Sequence, residues 1–155
     1  MDLILWRHAD AEEGVPDLAR KLTAKGHRQA GHVATWLLQR LPSKFAVFAS
    51  PAERAQQTAR ALDVPFRTVE KLAPGAPVAE ILETADWPER KGAVIIVGHQ
   101  PDLGRTAAWL VGGKPADLTI KKGGLWWITN RVRDGETGVV VRAVVAPDLI
   151  QGVRE

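Results

Sequence analysis

Two histidines and two arginines hold most of the chemistry that this chain offers. Arg7 and His8 stand in Trp6-Arg7-His8-Ala9-Asp10, directly behind the apolar run Leu3-Ile4-Leu5. His99 stands in Gly98-His99-Gln100-Pro101, behind Ala93-Val94-Ile95-Ile96-Val97. Arg54 follows a third run, Phe45-Ala46-Val47-Phe48-Ala49, and its outlet Ser50-Pro51. Each run reads as a buried strand. The four side chains therefore fall just past strand ends, where ligands of open α/β sheets bind. Phosphoryl transfer needs a nucleophile in line with the leaving group and cations around the equatorial oxygens. Neutral imidazole can be that nucleophile, splitting one hard step into two through a covalent intermediate. A second imidazole and two guanidiniums suit the spread negative charge, since arginine bonds phosphate oxygens bidentately and stays charged. The expected common target is a phosphoryl group. Taken singly, each residue has a plainer reading: a structural histidine, or a solvated helix arginine paired with Glu53 or Glu80. Their joint occurrence at three strand ends favours the site.

Weaker polar candidates surround this set. Gln100 is expected to hydrogen-bond substrate. Asp10 is expected to orient Arg7 or a loop, with a surface role as the plainer reading. Lys121-Lys122 either flanks the pocket mouth or lies in a solvated loop. His27 and His32 are five apart on one expected helix and do not share a face cleanly, so no metal site is assigned to them.

Positioning these residues requires alternating strands and helices, and the pattern along the chain supplies them. Strands are expected over residues 2–6, 45–49, 66–69 and 93–97, the last the most β-branched and so placed centrally. Thr23 reads as an N-cap. Apolar residues Ala30, Val33, Ala34, Leu37, Leu38 and Leu41 then recur at helical spacing up to Pro42. Further helices are expected over 52–62, 78–84 and 102–111, the last ended by Gly112-Gly113. Residues 11–21 and 71–77 read as loops. Residues 124–129 and 138–145 read as a hairpin across Arg133-Asp134-Gly135. In Trp126-Trp127, alternation places one ring in the core and leaves the other as an exposed or interface ring. The tail from Pro147 gives no clear element. Alternation of this kind argues for a layered α/β domain.

Composition bounds the rest. The chain has 155 residues, which fits one domain spanning 1–155. Its 45% hydrophobic and 25% charged residues are those of a globular protein. It has no cysteine, which excludes disulfides, thiolate catalysis and cysteine-based metal sites. No apolar run approaches the ~20 residues of a membrane span. The start does not read as a signal peptide, so a cytoplasmic location is expected. Net charge is +3 and basic residues are scattered, without a stripe interleaved with stacking aromatics. Neither nucleic acid nor membrane is an expected partner; an anionic small substrate or a phosphorylated protein is.

The three motifs together resemble a known family. Arg7-His8-Ala9, Ser50-Pro51-x-x-Arg54-x-x-x-Thr58-Ala59 and Gly98-His99-Gln100-Pro101 look like the signature of the histidine phosphatase (phosphoglycerate mutase-like) superfamily. The short length and Leu22-Thr23-x-x-Gly26 are similar to its SixA-type phosphohistidine phosphatase branch. The resemblance covers about residues 1–130. It implies a three-layer α/β/α sandwich with a mainly parallel sheet. It implies that His8 is the nucleophile, transiently phosphorylated, and that Arg7, Arg54 and His99 form the phosphate pocket. No metal or organic cofactor is implied. One departure concerns Ala9, where the family usually has glycine; a backbone needing positive φ there would be strained.

Many members carry a glutamate on an inserted segment that protonates an alkoxide leaving group. Little room exists for such an insertion between Thr58 and Gly98, and Glu80 and Glu83 are the candidates, with exposed helix carboxylates as the plainer reading. A missing acid matters less for imidazole, whose ring pKa lies near 6.5. The sequence thus favours hydrolysis of protein phosphohistidine. The rivals are a small-metabolite phosphomonoesterase using Glu80 or Glu83, and a non-catalytic phosphate- or phosphohistidine-binding module, which would have no need of a nucleophile.

Overall fold

The computed structural model describes residues 1–151. The last four residues of the expected 1–155 domain, and of the unassigned tail, lie outside the described residues. In chain order the elements are β1 (Asp2–Arg7), α1 (Ala24–Leu38), β2 (Phe45–Ala49), α2 (Glu53–Arg60), β3 (Arg67–Thr68), α3 (Val78–Ala85), β4 (Ala93–Gly98), α4 (Asp102–Gly112), β5 (Leu125–Arg133) and β6 (Glu136–Val145). One sheet has the order β3-β2-β4-β1-β5-β6. Its first four strands are parallel, and β5 and β6 add an antiparallel hairpin beside β1.

Alternation of side chains along the strands creates two cores. Ile4 and Trp6 of β1 join Val47, Ala49, Ile95 and Val97 under α1 and α2, through Val33, Leu37, Ala55 and Ala59. Leu3 and Leu5 join Phe48, Val94 and Ile96 under α3 and α4, through Ile81, Leu103 and Ala107. A sheet buried on both faces explains why β4 reads as a continuous apolar run rather than an alternating one. The result is a three-layer α/β/α fold with a mainly parallel sheet.

Several details differ from the sequence expectation. Leu38 is exposed, since α1 buries Ala30, Val33, Ala34 and Leu37 instead. The expected loops contain single 3-10 turns at Asp17–Ala19 and Glu70–Leu72, too short to register as periodicity. The hairpin strands run on to Arg133 and from Glu136. Their outer halves are exposed and so lack the apolar alternation that marks a buried strand. Asp134 and Gly135, both at positive φ, close the turn, as a tight two-residue hairpin requires. Trp126 and Trp127 are both covered: Trp127 is buried in the α1/α2 core and Trp126 packs partly buried on the other. Neither ring is left free, because helices cover both faces at this strand.

Thr23 caps α1, its hydroxyl oxygen accepting from the Gly26 N–H at 3.0 Å. At Gly26 the helix comes so close to the loop after β1 that an added Cβ would stand 2.0 Å from the Asp10 carbonyl oxygen. The glycine thus lets α1 press its N-terminus against the functional edge of the sheet.

Candidate active site

Strand register brings the site together. Arg7 pairs with Gly98 and Ala49 with Val97. The next residues, His8, His99 and Ser50, therefore emerge side by side from three adjacent parallel strands. His8 N–H donates to the Gly98 carbonyl at 3.0 Å, and Ser50 N–H to that of Val97 at 3.0 Å. The two imidazoles stand 5.2 Å apart between ring centroids, and both are buried.

Hydrogen bonding holds both rings and sets the protonation of His8. His8 Nδ1 lies 2.8 Å from the Ala9 carbonyl oxygen, which only accepts, so Nδ1 carries the proton and Nε2 presents its lone pair. Burial, followed by the charges of Arg54, Arg7 and Arg20, lowers the His8 pKa to about 4, against the opposing effect of its Ala9 bond. His99 Nε2 lies 2.7 Å from Ser50 Oγ. That oxygen also accepts from the Ala52 N–H at 3.1 Å, so Ser50 holds both the ring and the turn after β2. His99 Nδ1 is a buried atom with no partner. Burial, then His8 and the arginines, lower the His99 pKa to about 3.

The arginines are held by their ends. Arg7 Nη1 donates to the Ile120 carbonyl at 2.7 Å. Arg54, in the first turn of α2, donates from Nη1 to the Asp17 carbonyl at 2.8 Å and from Nη2 to the Asp17 carboxylate at 3.1 Å. Nε of each is buried and unpartnered. Unpaired buried donors are rare and costly in proteins. Among the described residues, the buried side-chain atoms without a partner include Arg7 Nε, Arg54 Nε and His99 Nδ1, all from this one constellation. Two guanidinium donors and an imidazole nitrogen left open in one constellation are the makings of an anion site.

The surroundings fix this geometry. Thr58 Oγ1 accepts from the Ala9 N–H at 3.0 Å and donates to the Arg54 carbonyl at 2.8 Å, tying α2 to the His8 loop. Ala9 is not among the residues with positive φ. Its methyl group packs with Ala11, Leu22 and Ala30, so alanine fits where glycine was the expected residue. Asp10 serves the loop rather than Arg7. It accepts from the Thr23 hydroxyl at 2.8 Å and meets Lys122 at 3.3 Å, and the Thr23 bond leads in holding its carboxyl below the usual range. Lys121 meets Asp148 at 4.0 Å.

Gln100 does not offer a free amide. Its Nε2 donates to the Leu118 carbonyl and its Oε1 accepts from the Gly104 N–H, each at 2.8 Å. It anchors the segment whose Ile120 carbonyl holds Arg7. The expected substrate contact is replaced by backbone contacts, because Gln100 lies at the start of α4 opposite Leu118. Glu80 pairs with Lys71 at 3.5 Å. Among the described residues, neither Glu80 nor Glu83 bonds to any of the four site residues.

Ser50, Thr58 and Asp17 were given no role on sequence grounds. The first two stand in a recognisable motif, but their partners are set by register. Asp17 has no sequence signal, for it acts from a surface turn. Among the described residues no three His, Cys, Asp or Glu side chains cluster as metal ligands, and no helix is long and apolar enough to cross a membrane. An apolar groove of about 680 Å³, lined by Val78, Leu82, Trp109 and Pro115 among others, contains none of the four site residues.

Comparison with known proteins gives the family. The sequence model of the histidine phosphatase superfamily (branch 1) matches residues 3–74. The uncharacterized protein MT1313 of Mycobacterium tuberculosis (strain CDC 1551 / Oshkosh) is 34% identical over 121 residues, 74% of this chain and 75% of that protein. The chain belongs to the histidine phosphatase superfamily. A structure assigned as a phosphohistidine phosphatase SixA from Nakamurella multipartitia is similar over 94% of this chain and 95% of its own, at 27% identity and a TM-score of 0.79. The protein histidine phosphatase SixA complexed with tungstate shares the fold over 96% and 99% of the two chains, at 23% identity and a TM-score of 0.78. In this histidine phosphatase superfamily member, His8 and His99 stand 5.2 Å apart at the carboxyl edge of the sheet, and Arg7 and Arg54 each leave Nε unpartnered.

Proposed function

We propose that this histidine phosphatase hydrolyses protein phosphohistidine through a covalent phospho-His8 intermediate. The observation that carries the reading is the set of three buried, unpartnered nitrogens, the Arg7 and Arg54 Nε donors and His99 Nδ1, in the same constellation as a neutral His8 whose Nε2 lone pair is free. Such donors interact favourably with a phosphoryl group and gain strength as charge develops on its equatorial oxygens.

In the first step, His8 Nε2 forms a bond to phosphorus as the bond from phosphorus to the substrate imidazole nitrogen breaks. The other ring nitrogen of that imidazole is protonated from solvent before the bond breaks, so the group departs as neutral imidazole. In the second step, the oxygen of a water forms the new bond to phosphorus, the bond from phosphorus to Nε2 breaks, and inorganic phosphate leaves. The proton lost by that water passes to solvent, and His8 returns to its neutral form.

The lack of an evident acid beside His8 among the described residues favours a phosphoramidate substrate. Asp17 is the carboxylate bonded into the pocket wall, and its hydrogen bonds from Arg20 and Arg54 hold its carboxyl below the usual range. It is ionised at neutral pH and has no proton to give. An imidazole leaving group, with a ring pKa near 6.5, needs far less help than an alkoxide. The likeness to SixA structures points the same way.

The test is rapid quenching during turnover of a phosphohistidine protein, beside a panel of phosphate esters. An acid-labile phosphoryl group on His8, absent in His8→Ala, is expected. Full activity in His8→Ala would overturn the mechanism. Efficient turnover of a simple alkyl phosphate, lost in Glu80→Gln or Glu83→Gln, would move the assignment to a small-metabolite phosphomonoesterase.

A further inference from the structure

Asp17 and Arg20 stand on the segment between β1 and α1, beside the pocket. The ends of the segment are pinned by the bridge between Ala11 and Leu22, by Glu12 N–H to the Lys21 carbonyl at 2.8 Å, and by Leu22 N–H to Gln57 Oε1 at 2.7 Å. Between these pins, the turn Asp17–Ala19 buries no residue. Apolar packing therefore does not set its position; charged bonds do.

The Asp17 carboxylate forks between two guanidiniums. Oδ2 accepts from Arg54 Nη2 at 3.1 Å and Oδ1 from Arg20 Nη1 at 3.1 Å. Arg20 Nε also donates to the Glu12 carbonyl at 2.6 Å. Arg54 thus has both terminal nitrogens turned toward Asp17, and its Nε is the donor left open. Arg20 keeps Nη2 without a partner among the described residues. The Arg20 side chain is largely covered, at 22% exposure, although it stands on an exposed turn.

We propose that Arg20 is a third cation for the phosphoryl group, and that Asp17 is the positioning residue that holds Arg20 and Arg54 in place beside His8. The proposal rests on the phosphatase reading above. Its physical basis is that guanidiniums held at fixed angles lose little freedom when they bond a phosphoryl group. Arg20 is also near enough to His8 for its charge to disfavour protonation of that ring. Because Asp17 is itself an anion, its removal has two opposed effects. Local positive charge rises, which favours any anion, while alignment of the two arginines is lost, which slows transfer.

The experiment measures inorganic phosphate binding by calorimetry, and kcat and KM on an aryl phosphate, for wild type, Arg20→Ala, Arg20→Lys, Asp17→Ala and Asp17→Asn. Arg20→Ala is expected to weaken phosphate binding and lower kcat/KM by about tenfold to a hundredfold, the range for one charged hydrogen bond. Arg20→Lys should recover part of that loss. Asp17→Ala should lower kcat by more than it weakens phosphate binding, with Asp17→Asn between it and wild type. Because the turn buries no residue, the variants should melt with the wild type. If Asp17→Ala melts early, Arg20→Ala, which removes no bond to Arg54, decides the outcome. Arg20→Ala and Asp17→Ala that bind phosphate and turn over like wild type would overturn this inference alone. A wild type that neither binds phosphate nor depends on His8 would overturn the phosphatase reading itself.

Discussion

The two walls of the pocket are built by different physics. One wall is the carboxyl edge of the sheet, where His8, His99 and Ser50 follow paired strands whose apolar side chains fill both cores. Their spacing is a consequence of register, and moving them would require slipping a buried strand. The other wall is the turn at Asp17, which buries nothing and is held by ion pairs with Arg54 and Arg20. The arginines of both pairs are covered but the Asp17 carboxylate is exposed, so salt screens the pairs in part. In the proposed mechanism the strand-end wall would fix the reacting atoms, while the turn would hold the cations around them.

The largest expected effect lies at the rigid wall. His8→Ala should lower turnover of an aryl phosphate by at least about 10⁴-fold, as removal of a nucleophile does. Steady-state kinetics checks this, and a smaller loss would mean that the strand-end wall does not hold the reacting atom. Next in size is the spread among leaving groups. General acid help is typically worth about 10²–10⁴-fold, so alkyl phosphates should be slower than phosphohistidine or aryl phosphates by about that factor. Glu80→Gln and Glu83→Gln should leave phosphohistidine turnover nearly unchanged.

Within the rigid wall, Ser50→Ala removes the hydroxyl that is hydrogen-bonded to His99 Nε2. Loss of one buried hydrogen bond costs about 1–3 kcal/mol, expected as roughly a tenfold to hundredfold fall in kcat. A displaced ring tautomer of His99, read by nitrogen NMR, should accompany it. An unchanged tautomer would show that the serine merely packs there.

The pH dependence follows from the two depressed pKa values. His8 is neutral at pH 7, so kcat/KM should be flat with respect to this group near neutrality and fall as pH drops through about 4, where it takes up a proton. The ionisation of the ester must first be divided out. Stability moves in the same direction. Unfolded histidine titrates near 6.5, whereas His8 and His99 titrate at about 4 and about 3 in the fold. Between those limits the unfolded chain binds more protons, so these two groups make stability fall as pH is lowered from 6.5 toward 3. Melting curves of wild type and His99→Gln across that window should differ in slope; parallel curves would contradict the burial argument.

The difference between the walls also explains what could be read from the sequence. His8 and His99 were legible because buried parallel strands are continuous apolar runs, and each histidine directly follows one. Arg54 was legible because it lies a few residues beyond a third such run. The α/β layering followed from the same runs and the helical spacing between them. Asp17 and Arg20 were not legible, since an exposed turn held by ion pairs has no periodicity. Gln100 misled for a related reason. Its place beside His99 suggested substrate, but its amide partners lie at Gly104 and Leu118, and the Leu118 contact is created by the return of the chain after α4. The outer half of the hairpin escaped because exposed strand residues show no apolar alternation.

The close approach at Gly26 has a consequence for anyone seeking a more heat-resistant variant. Replacing helix glycines by alanine is a common stabilising strategy, worth roughly 0.5–1 kcal/mol where the site tolerates a methyl group. Two glycines of α1 look equivalent to such a scheme and are not. At Gly31 an added Cβ meets nothing within 4 Å, so Gly31→Ala should raise the melting temperature and leave kcat alone. At Gly26 the same methyl group would collide with the Asp10 carbonyl, forcing the helix away from the residues that follow His8. Gly26→Ala should therefore melt earlier and turn over more slowly, a trade that helix propensity alone would have scored as a gain.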